Sequence, residues 1–307
     1  MSILVVGSVA YDNLETPAGR RERVLGGAAT HFATAASFFA TVHLIGVVGD
    51  DFEHAHIEFL KSRGVDLAGL KIVPGGKTFH WSGHYMNDIN QAETLQTELG
   101  VFSTFDPELT EHHRERPYIF LANIHPELQL KVLSQIKNPT LVAMDTMNLW
   151  INTTRDTLQK VIERVGMIFV NDAEARLLTG CKNVSQAAHQ IMEWGPKTVV
   201  IKRGEHGALV YNDEKIFMAP AVPLMTVTDP TGAGDTFAGG FLGYIARAGR
   251  VDDASIRRAA VCGSVMASFQ VEDFGLERLK NLTRDEIDGR FRDLTEITRF
   301  DHMPVFV

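Results

Sequence analysis

Twelve consecutive residues, Asp229-Pro230-Thr231-Gly232-Ala233-Gly234-Asp235-Thr236-Phe237-Ala238-Gly239-Gly240, have the types and spacing that group-transfer chemistry needs. They follow a strand-like run, Met225-Thr226-Val227-Thr228, and open an apolar helical pattern at Phe237, Phe241, Tyr244 and Ile245. Small residues at a strand-to-helix turn let backbone N–H groups crowd around one point, with the positive end of the helix dipole behind them. Such a turn binds an oxyanion. Asp235 puts a carboxylate inside the same turn. Donors for a developing negative charge and a base to collect a proton then lie side by side, as phosphoryl transfer to an alcohol requires. A helix cap is the competing role for Asp235. Two glycines around a small residue, an acid directly after and a second glycine pair one turn on exceed what a cap needs. Gly239-Gly240 costs helix propensity on the order of 1 kcal/mol per residue, which predicts close packing or close approach of a ligand.

These residues need a scaffold, and the chain is long enough to supply one. It has 307 residues, 45% hydrophobic and 22% charged, an ordinary globular composition. A formal net charge of -8 argues against nucleic acid as a partner. The two cysteines, Cys181 and Cys262, form no metal spacing and no disulfide framework, so a reducing cytoplasm is expected. Met1–Gly7 is too short an apolar run for a signal peptide, and no run is long enough to span a membrane.

Short apolar runs alternate with helical patterns nearly throughout. Strands are expected at 3–6, 42–47, 118–121, 141–144, 167–170, 198–201 and 208–211. Helices are expected at 28–40, 52–62, 127–135, 155–164, 173–178 and 185–194, then at 233–247, 253–269 and 284–294. Buried strands alternating with helices imply an α/β fold: a doubly wound, mostly parallel sheet covered on both faces.

From 69 to 102 the pattern changes to strict alternation, as in Thr78–Tyr85 and Thr94–Leu99, with a turn at Met86-Asn87-Asp88-Ile89-Asn90-Gln91. Alternation indicates strands with one wet face. A small antiparallel β-lid inserted at 69–102 is therefore expected, either covering a cleft or pairing with a second copy. Phe79, Trp81, Tyr85 and Phe102 are costly to leave in water.

Taken together, these features make the chain resemble the ribokinase-like (PfkB) carbohydrate kinases over essentially its whole length, as a single kinase domain across 1–307. Asp229–Gly240 is similar to the family's C-terminal signature. Gly26-Gly27-Ala28-Ala29 with Gly46-Val47-Val48-Gly49-Asp50-Asp51 looks like its N-terminal one. The resemblance implies that Asp235 is the base for the substrate hydroxyl, with Gly232, Ala233, Gly234 and Asp235 offering N–H groups to the transferring phosphoryl. At a helix N-terminus Asp235 is expected to stay ionised at pH 7.

The same resemblance extends to the cofactors, ATP with Mg²⁺. Asn171-Asp172-Ala173-Glu174 looks like the family's Asn-x-x-Glu element, in which Asn171 faces the phosphates and Glu174 holds the water shell of Mg²⁺. A capping box accounts for the same two residues, and both roles are compatible. Lys202-Arg203-Gly204-Glu205-His206-Gly207 is similar to the family's nucleotide-phosphate turn, with Gly204 and Gly207 bending the chain. Many members have a small hydroxyl residue at Lys202, so this lysine either touches phosphate or lies in solvent. Adenine is expected between 219–225 and the helix near 262–269. Asp229 matches an Asp that helps bind K⁺ in several members, with a turn-forming Asp-Pro as the alternative.

At the substrate end, Asp12 falls where the family grips sugar hydroxyls with a carboxylate. The Gly26-Gly27 segment belongs to the same end. Ala10 and His31 stand where ribokinases carry asparagines, which withdraws ribose while leaving phosphorylation of some alcohol. Asn123, Asp145 and Asn148 lie just beyond strands, where open α/β sheets bind ligands. His112-His113 and His54/His56 read as solvated rather than coordinating.

Other readings compete. Gly75-Gly76-Lys77-Thr78 lacks the earlier glycine and the following helix of a P-loop, and no dinucleotide fingerprint follows Val6. A nucleoside kinase of the same superfamily is the runner-up to a small-sugar kinase, with a base stacking on Phe79 or Trp81. A catalytically silent ligand-binding regulator is the third, and the intact Asp235 turn argues against it. Lid hydrophobicity suggests a homodimer.

Overall fold

A computed structural model describes residues 1–86, 89, 92–213 and 215–300. Its thirteen strands are β1 Ser2–Val6, β2 Ala10–Thr16, β3 Gly19–Gly26, β4 Thr41–Gly49, β5 Val65–Val73, β6 Phe79–His84 and β7 Glu93–Glu98. They continue with β8 Tyr118–Leu121, β9 Leu141–Asp145, β10 Met167–Asn171, β11 Thr198–Lys202, β12 Ala208–Asn212 and β13 Lys215–Ala219. Nine form one sheet in the order β13-β12-β11-β10-β9-β8-β1-β4-β5, its pairings parallel except for the antiparallel β11–β12 and β12–β13 at one edge.

Continuous apolar runs make the parallel strands, because both faces are covered. Along β1, Ile3 and Val5 face one core and Leu4 and Val6 the other. The first core packs under helices Ala28–Ala36, Ala233–Ala248 and Asp253–Gln270. The second packs under helices Pro126–Leu133, Arg155–Ile162, Asp172–Thr179 and Val184–Glu193. Each fully buried Leu, Ile or Phe stabilises by roughly 1.5–3 kcal/mol. The expected doubly wound sheet is what forms. No helix among the described residues is long and apolar enough to cross a membrane, and both cysteines are free.

The lid differs from expectation in its make-up. Residues 79–98 supply only two of its strands; β2 and β3 supply the others, in the order β3-β2-β6-β7. Residues 65–73, by contrast, pair with β4 in the main sheet. Two antiparallel hairpins, β2–β3 and β6–β7, are joined by a parallel β2–β6 seam. The alternation of Tyr11, Asp12 and Asn13 is too short to stand out beside Val9 and Ala10, which hid the first hairpin. Most of the turn expected at 86–91 lies outside the described residues. The aromatic residues turn inward: Phe79 stacks on Phe102 at 5.4 Å and Phe102 on Phe105 at 5.3 Å, and Tyr85 is buried.

Candidate active site

The Asp229–Gly240 stretch is held on the sheet by aromatic packing. Phe241 meets Phe169 of β10 edge-on at 5.3 Å and Phe237 meets it at 6.3 Å, while Phe32 stacks on Phe120 of β8 at 4.1 Å. Gly239 lies against the Phe32 carbonyl and Ala35, and Gly240 against Met266 and the Cys262 carbonyl. The glycine pair thus serves helix–helix packing, not a ligand. Gly232 begins the helix with φ 72°, and a Cβ there would strike the His31 ring.

The turn itself is braced by Asp229, which is fully buried. Its Oδ1 accepts from the Thr231 N–H at 2.9 Å and its Oδ2 from the Gly275 N–H at 2.8 Å. Those bonds account for Asp229 as a turn former, each carboxylate oxygen accepting one backbone N–H. The Ala233 N–H is committed to the Pro230 carbonyl at 3.1 Å, whereas those of Gly232 and Gly234 have no backbone partner among the described residues. The Asp235 N–H likewise has none, so among the described residues Ala233 alone of the four N–H groups expected to form an anion hole has a backbone partner.

Four charged groups gather beside it from consecutive elements of the sheet. Asp145 ends β9, Lys202 ends β11, Glu174 lies in the helix that follows β10, and Asp235 is in the first turn of its helix. Lys202 Nζ donates to Asp145 Oδ2 at 2.7 Å and lies 3.0 Å from where a side chain on Gly234 would begin. Burial opposes the Lys202 charge, but Asp145 and Glu174 hold the ammonium above its ordinary value. This lysine is not solvated: its ammonium is held in the fold beside Gly234.

Burial pushes Asp235 up to about 7, with Asp145 adding and Lys202 opposing. The expectation of a fully ionised Asp235 at pH 7 is thus corrected, because desolvation outweighs the helix dipole. Glu174 is likewise pushed to about 7 by burial, with Lys202 opposing and Asp145 adding. Burial also raises Asp145, against the pull of Lys202. Asn171 and Glu174 form the capping box: Asn171 Oδ1 accepts from the Glu174 N–H and Glu174 Oε2 from the Asn171 N–H, both at 2.7 Å. The second Glu174 oxygen is left for other partners. Crowded carboxylates with raised affinity for a proton also suit a divalent cation, so Asp145 and Glu174 fit Mg²⁺ and its water shell.

A cavity of about 450 Å³ runs away from Ala233 and Gly234. Lys202, Gly204 and Gly207 border it, and Val222, Phe237 and Ala267 line its apolar part. Gly204 and Gly207 have φ 53° and 78° in the turn between β11 and β12. The cavity occupies the groove expected to take adenine, between 219–225 and the helix near 262–269.

The lid carries residues expected at the substrate end, and its Ile89 also borders the cavity. Asp12, 5% exposed, is pushed up to about 8 by burial, with Asp229 and Asp235 adding. Gly26 has room for no side chain because the Asp12 carboxyl fills that space, and Gly27, with φ 95°, crowds the Ser8 carbonyl. His31 is buried on Gly232; neither ring nitrogen meets hydrogen-bond geometry among the described residues, though Gln270 lies near enough to favour its charged form. Burial lowers it to about 4, so it is a neutral imidazole at pH 7. Asn123 is turned elsewhere: its Oδ1 accepts from Trp150 Nε1 at 2.8 Å.

Sequence reasoning missed Tyr85 and Thr16, which tie the lid to the catalytic turn. Thr231 Oγ1 donates to the Tyr85 hydroxyl at 3.0 Å, and Thr16 Oγ1 donates to the Thr228 carbonyl at 2.8 Å. Both are long-range pairs that no local spacing announces. The histidine pairs also divide: His113 is buried and His56 half-buried, while His54 and His112 are exposed.

Residues 2–278 match the sequence pattern of the pfkB family carbohydrate kinases. A cytidine kinase from Thermococcus kodakarensis is 37% identical over 251 residues, 80% of this chain and 88% of that protein. Among solved structures, a nucleoside kinase from Burkholderia thailandensis in complex with inosine superposes with a TM-score of 0.76 at 23% identity. The match covers 96% of this chain and 99% of that one. An aminoimidazole riboside kinase from Salmonella enterica, complexed with aminoimidazole riboside and an ATP analogue, gives a TM-score of 0.74 at 20% identity, covering 95% and 100%.

Proposed function

The chain belongs to the pfkB family of carbohydrate kinases, and from that premise we propose that it is an ATP-dependent nucleoside kinase. One observation carries the catalytic part. Asp235 directly follows Ala233 and Gly234, which border a nucleotide-sized cavity, and lies close enough to the buried Asp12 carboxyl to raise its affinity for a proton, while the Gly232 and Gly234 N–H groups have no backbone partner among the described residues. The similarity to a cytidine kinase supports a nucleoside over a free sugar.

In this reading Asp12 bonds ribose hydroxyls and orients a further hydroxyl toward Asp235. That hydroxyl loses its proton to the Asp235 carboxylate as its oxygen bonds to the γ-phosphorus, and the bond to the ADP oxygen breaks. Gly232, Gly234 and the Lys202 ammonium face the charge on the transferring oxygens. Mg²⁺ held near Asp145 and Glu174 would neutralise charge on the β- and γ-phosphates. Phe79 and Trp81 are in register with Ala10 and Asp12 on the parallel β2–β6 seam, so they share the lid face that carries Asp12. Phe79 is spent on Phe102, whereas Trp81 is half-buried with its indole N–H donated to Thr94 Oγ1 at 3.2 Å. Trp81 is thus the better platform for a base.

The test is coupled ADP release with ATP and Mg²⁺ over ribonucleosides and free sugars. Cytidine or another ribonucleoside is expected to show the highest kcat/KM. Trp81→Ala should raise the nucleoside KM about tenfold, a stacking loss of roughly 1–1.5 kcal/mol, and leave the ATP KM unchanged. Faster turnover of a free sugar would overturn the nucleoside reading, and tight binding without any turnover would overturn the kinase reading.

A further inference from the structure

The amino-terminal edge of the main sheet, away from Asp145, Lys202 and the cleft, carries a second chemical cluster. His43 near the start of β4 is in register with Asp66 near the start of β5, and the helix Glu111–Arg114 lays His112 and His113 against them. Among the described residues, His43, Asp66 and His112 place one ligand atom each within 4.8 Å of one another.

The cluster is ordered by its surroundings. His43, 5% exposed, has its Nδ1 2.9 Å from Asp66 Oδ2, and Asp66 Oδ1 accepts from the Ala68 N–H at 2.8 Å. The His43 and His112 rings meet edge-on with centroids 5.1 Å apart, and His113, its Nδ1 3.0 Å from Thr110 Oγ1, fixes the helix that presents His112. Two imidazoles and one carboxylate are a donor set for a borderline cation such as zinc, not for Mg²⁺, which prefers oxygen alone. One group opposes a cation. Arg116 Nη2 lies 3.4 Å from His112 Nδ1 and its Nη1 donates to Ser2 Oγ at 3.3 Å, so it must withdraw when an ion enters.

We propose that His43, Asp66 and His112 bind a zinc-like divalent cation that pins the 110–116 segment to β4 and β5. The site is structural and separate from phosphoryl transfer. It therefore stands or falls independently of the kinase reading.

The experiment is calorimetric titration of Zn²⁺ into the metal-free full-length protein without nucleotide, with thermal melts in parallel. One equivalent is expected to bind and to raise Tm. His112→Ala removes an exposed ligand without opening the core and should weaken that event by about 10–100-fold, as loss of even outer-shell support does. Arg116→Gln removes the competing charge and should tighten it. Co²⁺ in place of Zn²⁺ should give visible bands of a four-coordinate ion in the parent protein and lose them in His112→Ala. No stoichiometric Zn²⁺ binding, or binding equally tight in His112→Ala, would overturn the proposal; in the second case the ion sits elsewhere, as at Asp145 and Glu174.

Discussion

The phosphate end of the cleft and the lid end are built differently. At the phosphate end, Asp145, Glu174 and Lys202 sit at the carboxyl ends of β9, β10 and β11, strands buried on both faces, and Asp235 rides a helix locked to them by Phe169 and Phe241. At the lid end, Asp12 and Trp81 lie on separate hairpins, joined by the β2–β6 seam and tied to the catalytic turn through Thr16 and Tyr85. The first end holds charges at fixed separations in a dry scaffold, which suits a reaction that must stabilise the same phosphoryl group every time. The second is anchored in the core by Tyr11 and Leu25, while β7 and much of β3 are exposed, so residues there can change without disturbing the sheet. In the proposed function, chemistry belongs to the first end and selection to the second.

If that division holds, the largest effect should come from the first end and spare binding. Asp235→Asn keeps the shape and removes the proton acceptor, so kcat is expected to fall by about 10²–10⁴ with the Kd for ATP nearly unchanged. Stopped turnover together with an unchanged melting curve would separate this from a capping role. An unfolded variant would show the cap to dominate.

Lys202→Met comes next. It removes a charge from beside Gly234 and leaves Asp145 buried without its partner, so a stability loss on the order of 3 kcal/mol is expected alongside a roughly 100-fold drop in kcat. Lys202→Met with Asp145→Asn should recover most of the stability and little of the rate. Recovery of both would mean that the pair is only scaffolding.

The two ends also differ in how they answer pH. Asp235 must be ionised to accept a proton and its carboxyl is pushed to about 7, so kcat/KM should rise about tenfold per pH unit up to that value and then level off. Stability should run the other way. Asp12 and Asp235 keep protons in the folded protein up to about 8 and about 7, protons that the unfolded chain has released above about pH 4. The native state therefore binds more protons between these limits, and ligand-free stability falls as pH rises across them. Asp12→Asn should flatten that decline and raise the melting point at pH 8 by an amount equivalent to about 1–2 kcal/mol, while weakening substrate binding. A melting curve in Asp12→Asn with unaltered pH dependence would remove Asp12 from this account.

The same contrast decides what could be read from the residues alone. Asp229–Gly240 is contiguous, its glycines and acid are forced by a turn, and the continuous apolar runs could only be buried strands, so the sheet and Asp235 were legible. Lys202 was legible as a position but not as a partner of Asp145, since 57 residues separate them and either could have been solvated. The lid was half legible. Alternation in 79–84 and 93–98 revealed one hairpin, but β2 buries the polar Asp12 and Thr16 with Leu14, and β3 is exposed over Arg20–Arg23, so neither shows apolar alternation in its residues. Desolvation was the invisible quantity: Asp235 sits at a helix start in either reading, and only the packing around it shows which influence on its charge prevails.

The smallest expected effect is also the most direct probe of how the two ends communicate. Tyr85 is buried on the lid side, and its hydroxyl accepts from Thr231, two residues beyond the buried Asp229 and one before Gly232. Burial makes its phenol a still weaker acid than usual, with Thr231 opposing, so it remains neutral and offers this hydrogen bond. Tyr85→Phe keeps the ring and its packing and deletes the bond, worth about 1 kcal/mol net. If the lid merely covers the cleft, that loss falls on stability or on substrate KM and leaves kcat alone. If the lid positions the catalytic turn, kcat falls by about three- to fivefold with a nearly constant nucleoside KM, because Thr231 no longer fixes Gly232 under the transferring group. The second outcome is expected, since Gly232 has no side chain to hold it and the Thr231 hydroxyl is the nearest anchor on the lid side.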